Sequence, residues 1–186
     1  MSGGSPSGGA TSASSLSIAS IDAAVPDDAA AALAPLFEGA PAFLARLVAE
    51  RPFGLWDRLF ERARATAHAM PEPEQVELVD AHPRLGAPRH TVSSMSSREQ
   101  GYERGGTASA ESSPVAERLA AFNDAYEARF GFRYCVFVAG RPLDALVPEL
   151  ESALAADRGA ELDRALDAVV DIAAARQLAL ANDPRP

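Results

Sequence analysis

Segments with apolar residues at helical spacing follow one another along most of the chain, and proline or glycine bounds nearly all of them. The clearest segment covers 114–129: Pro114 follows a serine, four apolar side chains share one face, and Gly131 ends the run. The same pattern of apolar spacing and helix boundaries predicts further helices over 26–37, 41–50, 54–69, 71–81, 142–155 and 161–180. The chain is therefore constrained to be mostly helical.

Residues 134–139 (Tyr-Cys-Val-Phe-Val-Ala) are the exception, because they form a short, continuous apolar run. Periodicity alone assigns such a run either to a buried strand or to an extended connection. At 186 residues and 47% hydrophobic content, the chain predicts one domain with a substantial core. We place that domain at 21–181, between a disordered Ser/Gly/Ala-rich tail at 1–20 and a flexible C-terminus at 182–186.

The charge pattern excludes several classes of function. A net charge of −9 and a pI near 4.8 are unlike a nucleic-acid-binding or anionic-membrane surface, so we expect a small-molecule partner. All 17 basic residues are arginine. Without lysine the chain cannot be a Schiff-base decarboxylase, a pyridoxal-phosphate enzyme or a P-loop protein. Arginine can instead hold a carboxylate through paired hydrogen bonds.

Cysteine, histidine and hydropathy patterns indicate the compartment and the absence of a metal. The single cysteine, Cys135, permits no internal disulfide, which indicates a reducing compartment. The three histidines form no recognised metal motif, so we predict no metal. No apolar run reaches the length of a membrane span, and no basic residue precedes Arg46 as a secretory signal would require. We expect a cytoplasmic protein.

The candidate chemistry lies in 81–100. Pro83 should end the preceding helix near His82, so that the imidazole projects from a helix C-terminus. Ser96 and Glu99 have the spacing of a capping box, with Ser96 as the N-cap and Glu99 reaching back to it. A neighbouring imidazole and carboxylate are the usual agents of proton transfer near neutral pH. The structural alternative is an ordinary cap beside a packing histidine.

This stretch resembles the signature of the 2-oxo-4-hydroxy-4-carboxy-5-ureidoimidazoline (OHCU) decarboxylases, cofactor-free enzymes that complete the oxidation of urate to (S)-allantoin. The resemblance rests on His82-Pro83-Arg84-Leu85-Gly86 followed by Ser96-Ser97-Arg98-Glu99-Gln100. Supporting pieces in family order are Arg51-Pro52-Phe53, the Phe122-Asn123 to Phe132 segment and Ile172-Ala173-x-x-Arg176. The similarity runs from about residue 25 to about residue 180.

The resemblance implies an all-α single-domain bundle in which 133–139 is an extended segment beside the substrate, and it implies a homodimer without a cofactor. His82 and Glu99 would be catalytic, with Arg84 as a possible accessory cation. The implied substrate-binding residues are Pro83, Ser96, Ser97, Arg98, Gln100, Cys135, Val136, Phe137, Val138, Ala139 and Arg176. Family members in animals are peroxisomal, but this sequence does not end in a Ser-Lys-Leu-type signal.

One region departs from the family pattern. Residues 101–113 are rich in glycine and serine where the family continues its helix. This departure leaves open a catalytically silent ligand-binding relative, and a purely helical interaction protein is a second alternative. Turnover of OHCU would distinguish the enzyme from both, and stabilisation by a ligand would distinguish the two alternatives from each other.

Overall fold

The computed structural model describes residues 16–100 and 114–182, apart from the side chains of Arg89 and Glu99. The predicted N-terminal tail as far as residue 15 and the 101–113 region lie outside the described residues. The helices are α1 (Ile18–Ala23), α2 (Pro26–Leu33), α3 (Pro41–Ala49), α4 (Trp56–Ala69), α5 (Glu72–Asp80), α6 (Ser94–Glu99), α7 (Pro114–Phe130), α8 (Leu143–Ala153) and α9 (Arg158–Asn182), with a 3-10 turn at Arg89–Thr91.

The all-α class is confirmed, since the described residues contain helices and no strand. The predicted helices occur within a few residues of their expected ends. Helix α1, which begins in the last residues assigned to the tail and ends inside the predicted domain, has no predicted counterpart. Residues 133–138, the extended segment that the resemblance implied, belong to no helix or strand. The apolar run is therefore the connection that the family resemblance implied.

Helix α9 organises the core, because it packs against both α4 and α5 while α3 packs against those same two helices. Its inward face carries Leu166, Val169 and Ala173, all fully buried. Leu59 of α4 and Leu78 of α5 are also fully buried and belong to the same apolar cluster. Burying a leucine or valine side chain contributes about 1.5–3 kcal/mol, so this cluster holds the helices that surround the site.

Arg51 joins the N-terminal helix to the rest of the bundle. Its guanidinium donates hydrogen bonds to the carbonyl oxygens of Ile21 and Ala24, at 2.8 and 2.7 Å. The Asp22 carboxylate in turn accepts from the backbone N–H groups of Phe53 and Gly54. The Arg-Pro-Phe segment therefore fastens α1 to the loop after α3. No helix among the described residues combines the length and apolarity needed to cross a membrane.

Candidate active site

His82 stands just beyond the C-terminus of α5. Ala81 caps that helix, and the His82 N–H still donates to the carbonyl of Val79, at 3.1 Å, before Pro83 turns the chain away. Arg133 donates from Nη1 to the carbonyl oxygens of Asp80 and His82, at 2.7 and 3.0 Å. The arginine thus secures the end of the helix, and the His82 residue is only 3% exposed.

The His82 ring has one satisfied nitrogen and one unsatisfied nitrogen. Nδ1 lies 3.3 Å from the carbonyl oxygen of Leu78, and because a carbonyl only accepts, the proton is assigned to Nδ1. Nε2 is buried and has no hydrogen-bond partner among the described residues. The lone pair of Nε2 is therefore available to accept a proton or a hydrogen bond from a ligand.

Burial determines the charge of the imidazole. Desolvation, together with the nearby positive charge of Arg176, lowers the pKa of His82 from 6.5 to about 4. The Glu38 carboxylate and the Leu78 carbonyl act in the opposite direction but do not offset these effects. His82 is consequently neutral near pH 7, and it meets the cavity as a base.

A narrow cavity of about 30 Å³ lies against His82. Such a space holds about one or two water molecules, so a ring-sized ligand has to spread its walls. The lining residues are His82, Pro83, Leu85, Ser96, Gln100, Tyr134, Cys135, Val136, Val138, Ile172 and Arg176. Eight of the residues assigned to the site from sequence therefore meet at one cavity. Leu85, Tyr134 and Ile172 were not among those assignments.

The predicted capping box is wrong. Ser93 is the N-cap of α6, and its Oγ accepts the Ser96 N–H at 3.1 Å. Ser96 lies within the helix and donates its hydroxyl proton to the Glu38 carboxylate instead of capping the helix. Glu99 is the last residue of α6, so it cannot be oriented by the helix N-terminus. The local spacing was that of a cap, but the helix begins three residues earlier.

Helical register selects the residues of α6 that line the cavity. Ser96 and Gln100 are four positions apart and share a face, whereas Ser97 and Arg98 do not line this cavity. Arg98 lines a separate groove of about 410 Å³ between α6 and the C-terminal end of α9. Gln100 accepts the Gly86 N–H through Oε1, at 2.8 Å, and so holds the loop that follows His82.

Side chains of the extended segment border two spaces, and Tyr134 and Val136 border both of them. Tyr134, Val136 and Val138 line the cavity at alternate positions, as expected of extended backbone, and Cys135 joins them. Phe137 and Ala139 do not line this cavity, and Phe137 lies against a groove beside α8. The Cys135 carbonyl is already bound by Arg164, at 2.9 Å. This segment therefore presents mainly apolar side chains to a ligand.

Arg176 is buried, with 2% of the residue exposed, although an ordinary arginine would be expected at the surface. Its Nη2 donates to Glu38 Oε1 at 2.8 Å and to Ser96 Oγ at 2.9 Å. Sequence reasoning missed Glu38. A buried guanidinium requires a carboxylate partner, but nothing in the sequence says which of the 26 acidic residues supplies it.

Arg84 does not line the cavity. It donates to the carboxylates of Asp124 and Glu127 on α7, at 2.9 and 2.6 Å, and it borders a further groove that Pro83 and Glu38 also line. The fold and site together describe an all-helical domain that presents a neutral, buried histidine to a small cavity. This arrangement suits proton transfer on a small molecule.

Comparison with known proteins identifies the family. The family model for OHCU decarboxylase matches residues 22–177. A decarboxylase of that name from Halalkalicoccus jeotgali is 29% identical over 147 residues, which cover 78% of this chain and 80% of the relative. The uric acid degradation bifunctional protein PucL of Bacillus subtilis is 31% identical over 141 residues, 76% of this chain, but the chain spans only 28% of PucL.

Solved structures share the fold. An OHCU decarboxylase crystallised in the presence of (S)-allantoin has a TM-score of 0.61 at 21% identity, covering 78% of this chain and 94% of that one. An (S)-allantoin synthase has a TM-score of 0.63 at 18% identity, covering 88% of this chain and 53% of that one. The chain belongs to the OHCU decarboxylase family.

Proposed function

We propose that this protein decarboxylates OHCU to (S)-allantoin in urate degradation. The observation that carries the proposal is the buried, unpartnered Nε2 of His82, which lies against a cavity built from the motif residues. Two comparisons support the same substrate: the match to the decarboxylase family model, and the decarboxylase relative whose length is 80% covered by this chain.

The reaction places specific demands on the protein. When the bond from the ring carbon to the carboxylate breaks, its electron pair forms a carbon–carbon double bond with the neighbouring imine carbon, and the imine nitrogen takes up a proton. The hydroxyl on the first carbon then loses its proton and becomes a carbonyl, while the second carbon gains a proton. The substrate ring itself accepts the electrons, so the step requires no cofactor.

His82 is suited to the hydroxyl proton. The neutral ring can accept it at Nε2, because Nδ1 already donates to the Leu78 carbonyl and cannot accept. We assign Glu99 the delivery of a proton to one face of the ring, which would give a single enantiomer. Gln100 and Pro83 would position the ring beside His82.

Arg176 and Ser96 would face the substrate carboxylate, since both line the cavity and are joined by a hydrogen bond. Ser97, Arg98, Phe137 and Ala139 were assigned to binding on the family resemblance alone. None of these four borders the cavity. In the proposed mechanism, contacts from these four residues would require movement when the ligand enters.

The experiment is circular dichroism of allantoin formed from freshly generated OHCU. Fast appearance of the (S)-allantoin signal is expected with the protein, whereas the unaided reaction yields only a slow, optically silent product. His82→Ala and Glu99→Gln should each lower the rate by about a hundredfold or more. His90→Ala, at an exposed histidine outside the cavity, is the matched control.

A folded protein that binds OHCU but leaves the optical signal at background would instead be a silent ligand-binding relative. Near-normal turnover in folded His82→Ala would refute the mechanism. We also propose a homodimer, on the family resemblance, and a cytoplasmic location, because the single cysteine of the sequence permits no internal disulfide. Light scattering of the purified protein tests the dimer.

A further inference from the structure

Glu38 does not itself line the cavity, but it is held in an uncommon backbone conformation beside two residues that do. It has φ +52° in the turn between α2 and α3, and Gly39 follows at φ +79°. The left-handed region costs a residue other than glycine about 1 kcal/mol. Ser93, Ser96 and Arg176 all donate to the same carboxylate oxygen, at 2.8, 2.5 and 2.8 Å. These bonds hold the carboxylate against Arg176 and Ser96, both of which line the cavity.

This arrangement limits what Arg176 can offer to a ligand. Nη1 donates to the carbonyl oxygens of Pro35 and Leu36, at 3.1 and 3.3 Å, and Nη2 donates to Glu38 and Ser96. Each of these nitrogens carries two hydrogens, so both are fully engaged. A ligand carboxylate that approaches Nη2 therefore has to share a hydrogen with Glu38 or Ser96, or displace one of them.

The Ser96 hydroxyl also makes its hydrogen bonds within the protein. Its one hydroxyl proton goes to Glu38, and one of its lone pairs accepts from Arg176. Burial of the Glu38 carboxyl raises its pKa, but the Ser96 hydrogen bond and the Arg176 charge more than offset this, so the pKa lies below its usual range. Glu38 is thus ionised near neutral pH, and a ligand carboxylate near Arg176 meets a second negative charge.

We propose that Glu38 is a specificity-determining residue that disfavours the ground-state carboxylate in the cavity relative to the neutral, decarboxylated product. The proposal rests on the proposed decarboxylation. As carbon dioxide departs, the negative charge moves from the carboxylate into the ring, and the repulsion from Glu38 is relieved. An interaction that opposes the ground state more than the transition state raises kcat together with KM.

The test is Glu38→Gln, which removes the charge while its amide oxygen can still accept from Arg176. We expect KM for OHCU to fall about tenfold and kcat to fall about tenfold, as expected when ground-state repulsion is removed. Inhibition by neutral (S)-allantoin should change less than about twofold, because allantoin carries no carboxylate. Glu74→Gln removes the same charge from an exposed pair with Arg46 and should leave all three constants unchanged.

A merely structural Glu38 would give a different pattern. KM and the allantoin inhibition constant would then rise together in Glu38→Gln, and this result would overturn the proposal, as would unchanged constants. Glu38→Asp keeps the charge and should not tighten binding of OHCU. Far-ultraviolet circular dichroism of each variant verifies that the helical fold is retained.

Failure of the proposed function is distinguishable from failure of this inference. If the wild-type protein produces no (S)-allantoin above background, the decarboxylase assignment fails. Calorimetric titration with imidazole-4-carboxylate and imidazole-4-carboxamide, a charged and neutral pair, then tests Glu38 independently. Glu38→Gln should tighten carboxylate binding about tenfold and leave carboxamide binding within about twofold, whereas equal changes for both ligands would overturn the inference.

Discussion

Mild acidification should destabilise the protein through His82. The pKa of this residue is about 4 in the folded chain, against 6.5 for an unperturbed histidine. Between these values the unfolded chain binds a proton that the folded chain does not, so the free energy of unfolding falls as the pH falls. The stabilisation is fully present above about pH 6.5 and is lost progressively towards pH 4.

The magnitude follows from the two pKa values. The interval between 6.5 and about 4, at 1.36 kcal/mol for each pH unit, corresponds to a total loss of about 3 kcal/mol. About 2 kcal/mol of this loss should occur between pH 7 and pH 5. For a domain whose total stability is about 5–15 kcal/mol, such a change is readily measured.

The assay is urea unfolding followed by circular dichroism at several values between pH 7 and pH 5. This window lies above the range in which the Glu38 and Asp167 carboxyls titrate, since both have lowered pKa values. His82→Asn should remove most of the pH dependence, whereas His90→Asn, at an exposed position, should retain it. Equal slopes for the wild type and His82→Asn would refute the buried, neutral histidine.

Two further substitutions test how the loop after His82 is held. Gly86→Ala should lower the free energy of unfolding by about 2 kcal/mol, because φ is +77° there and a new Cβ would lie 3.1 Å from Leu119 Cδ1. Thermal unfolding measures this loss, and an unchanged Tm would contradict the prediction. Arg84→Gln removes a partly exposed bridge to two carboxylates on α7 and should cost less than about 1 kcal/mol in urea unfolding, with a larger loss indicating a structural role.

The helical fold was predictable because proline, glycine and apolar spacing are local signals. Pro26, Pro41 and Pro114 each occupy the first position of a helix, where the missing N–H costs nothing. Periodicity could not decide whether residues 133–138 form a strand or a connection. A segment that is buried on both faces shows no alternation of apolar and polar residues in either case. The family resemblance resolved it correctly.

The sequence predicted which motif residues border the cavity better than it predicted their contacts. Helical register explains why Ser96 and Gln100 meet the cavity while Ser97 does not, but that register depends on where α6 begins. Ser93 and Ser96 are both able to cap a helix, and only the fold distinguishes them. The role of Glu38 could not be predicted from sequence, because Glu38 lies 138 positions from Arg176 and contacts it from a backbone turn with positive φ.

The electrostatic balance of the cavity is what connects its structure to the proposed chemistry. His82 contributes no charge near neutral pH, and the Arg176 charge is matched by Glu38 at 2.8 Å. The cavity therefore attracts an anionic ligand far less than a lone buried arginine would. Tight binding of the substrate carboxylate would deepen the ground state and slow its loss as carbon dioxide. A site with balanced charges instead leaves recognition to shape and hydrogen bonding. The repulsion between Glu38 and the substrate carboxylate is then relieved only in the step in which that carboxylate leaves as carbon dioxide.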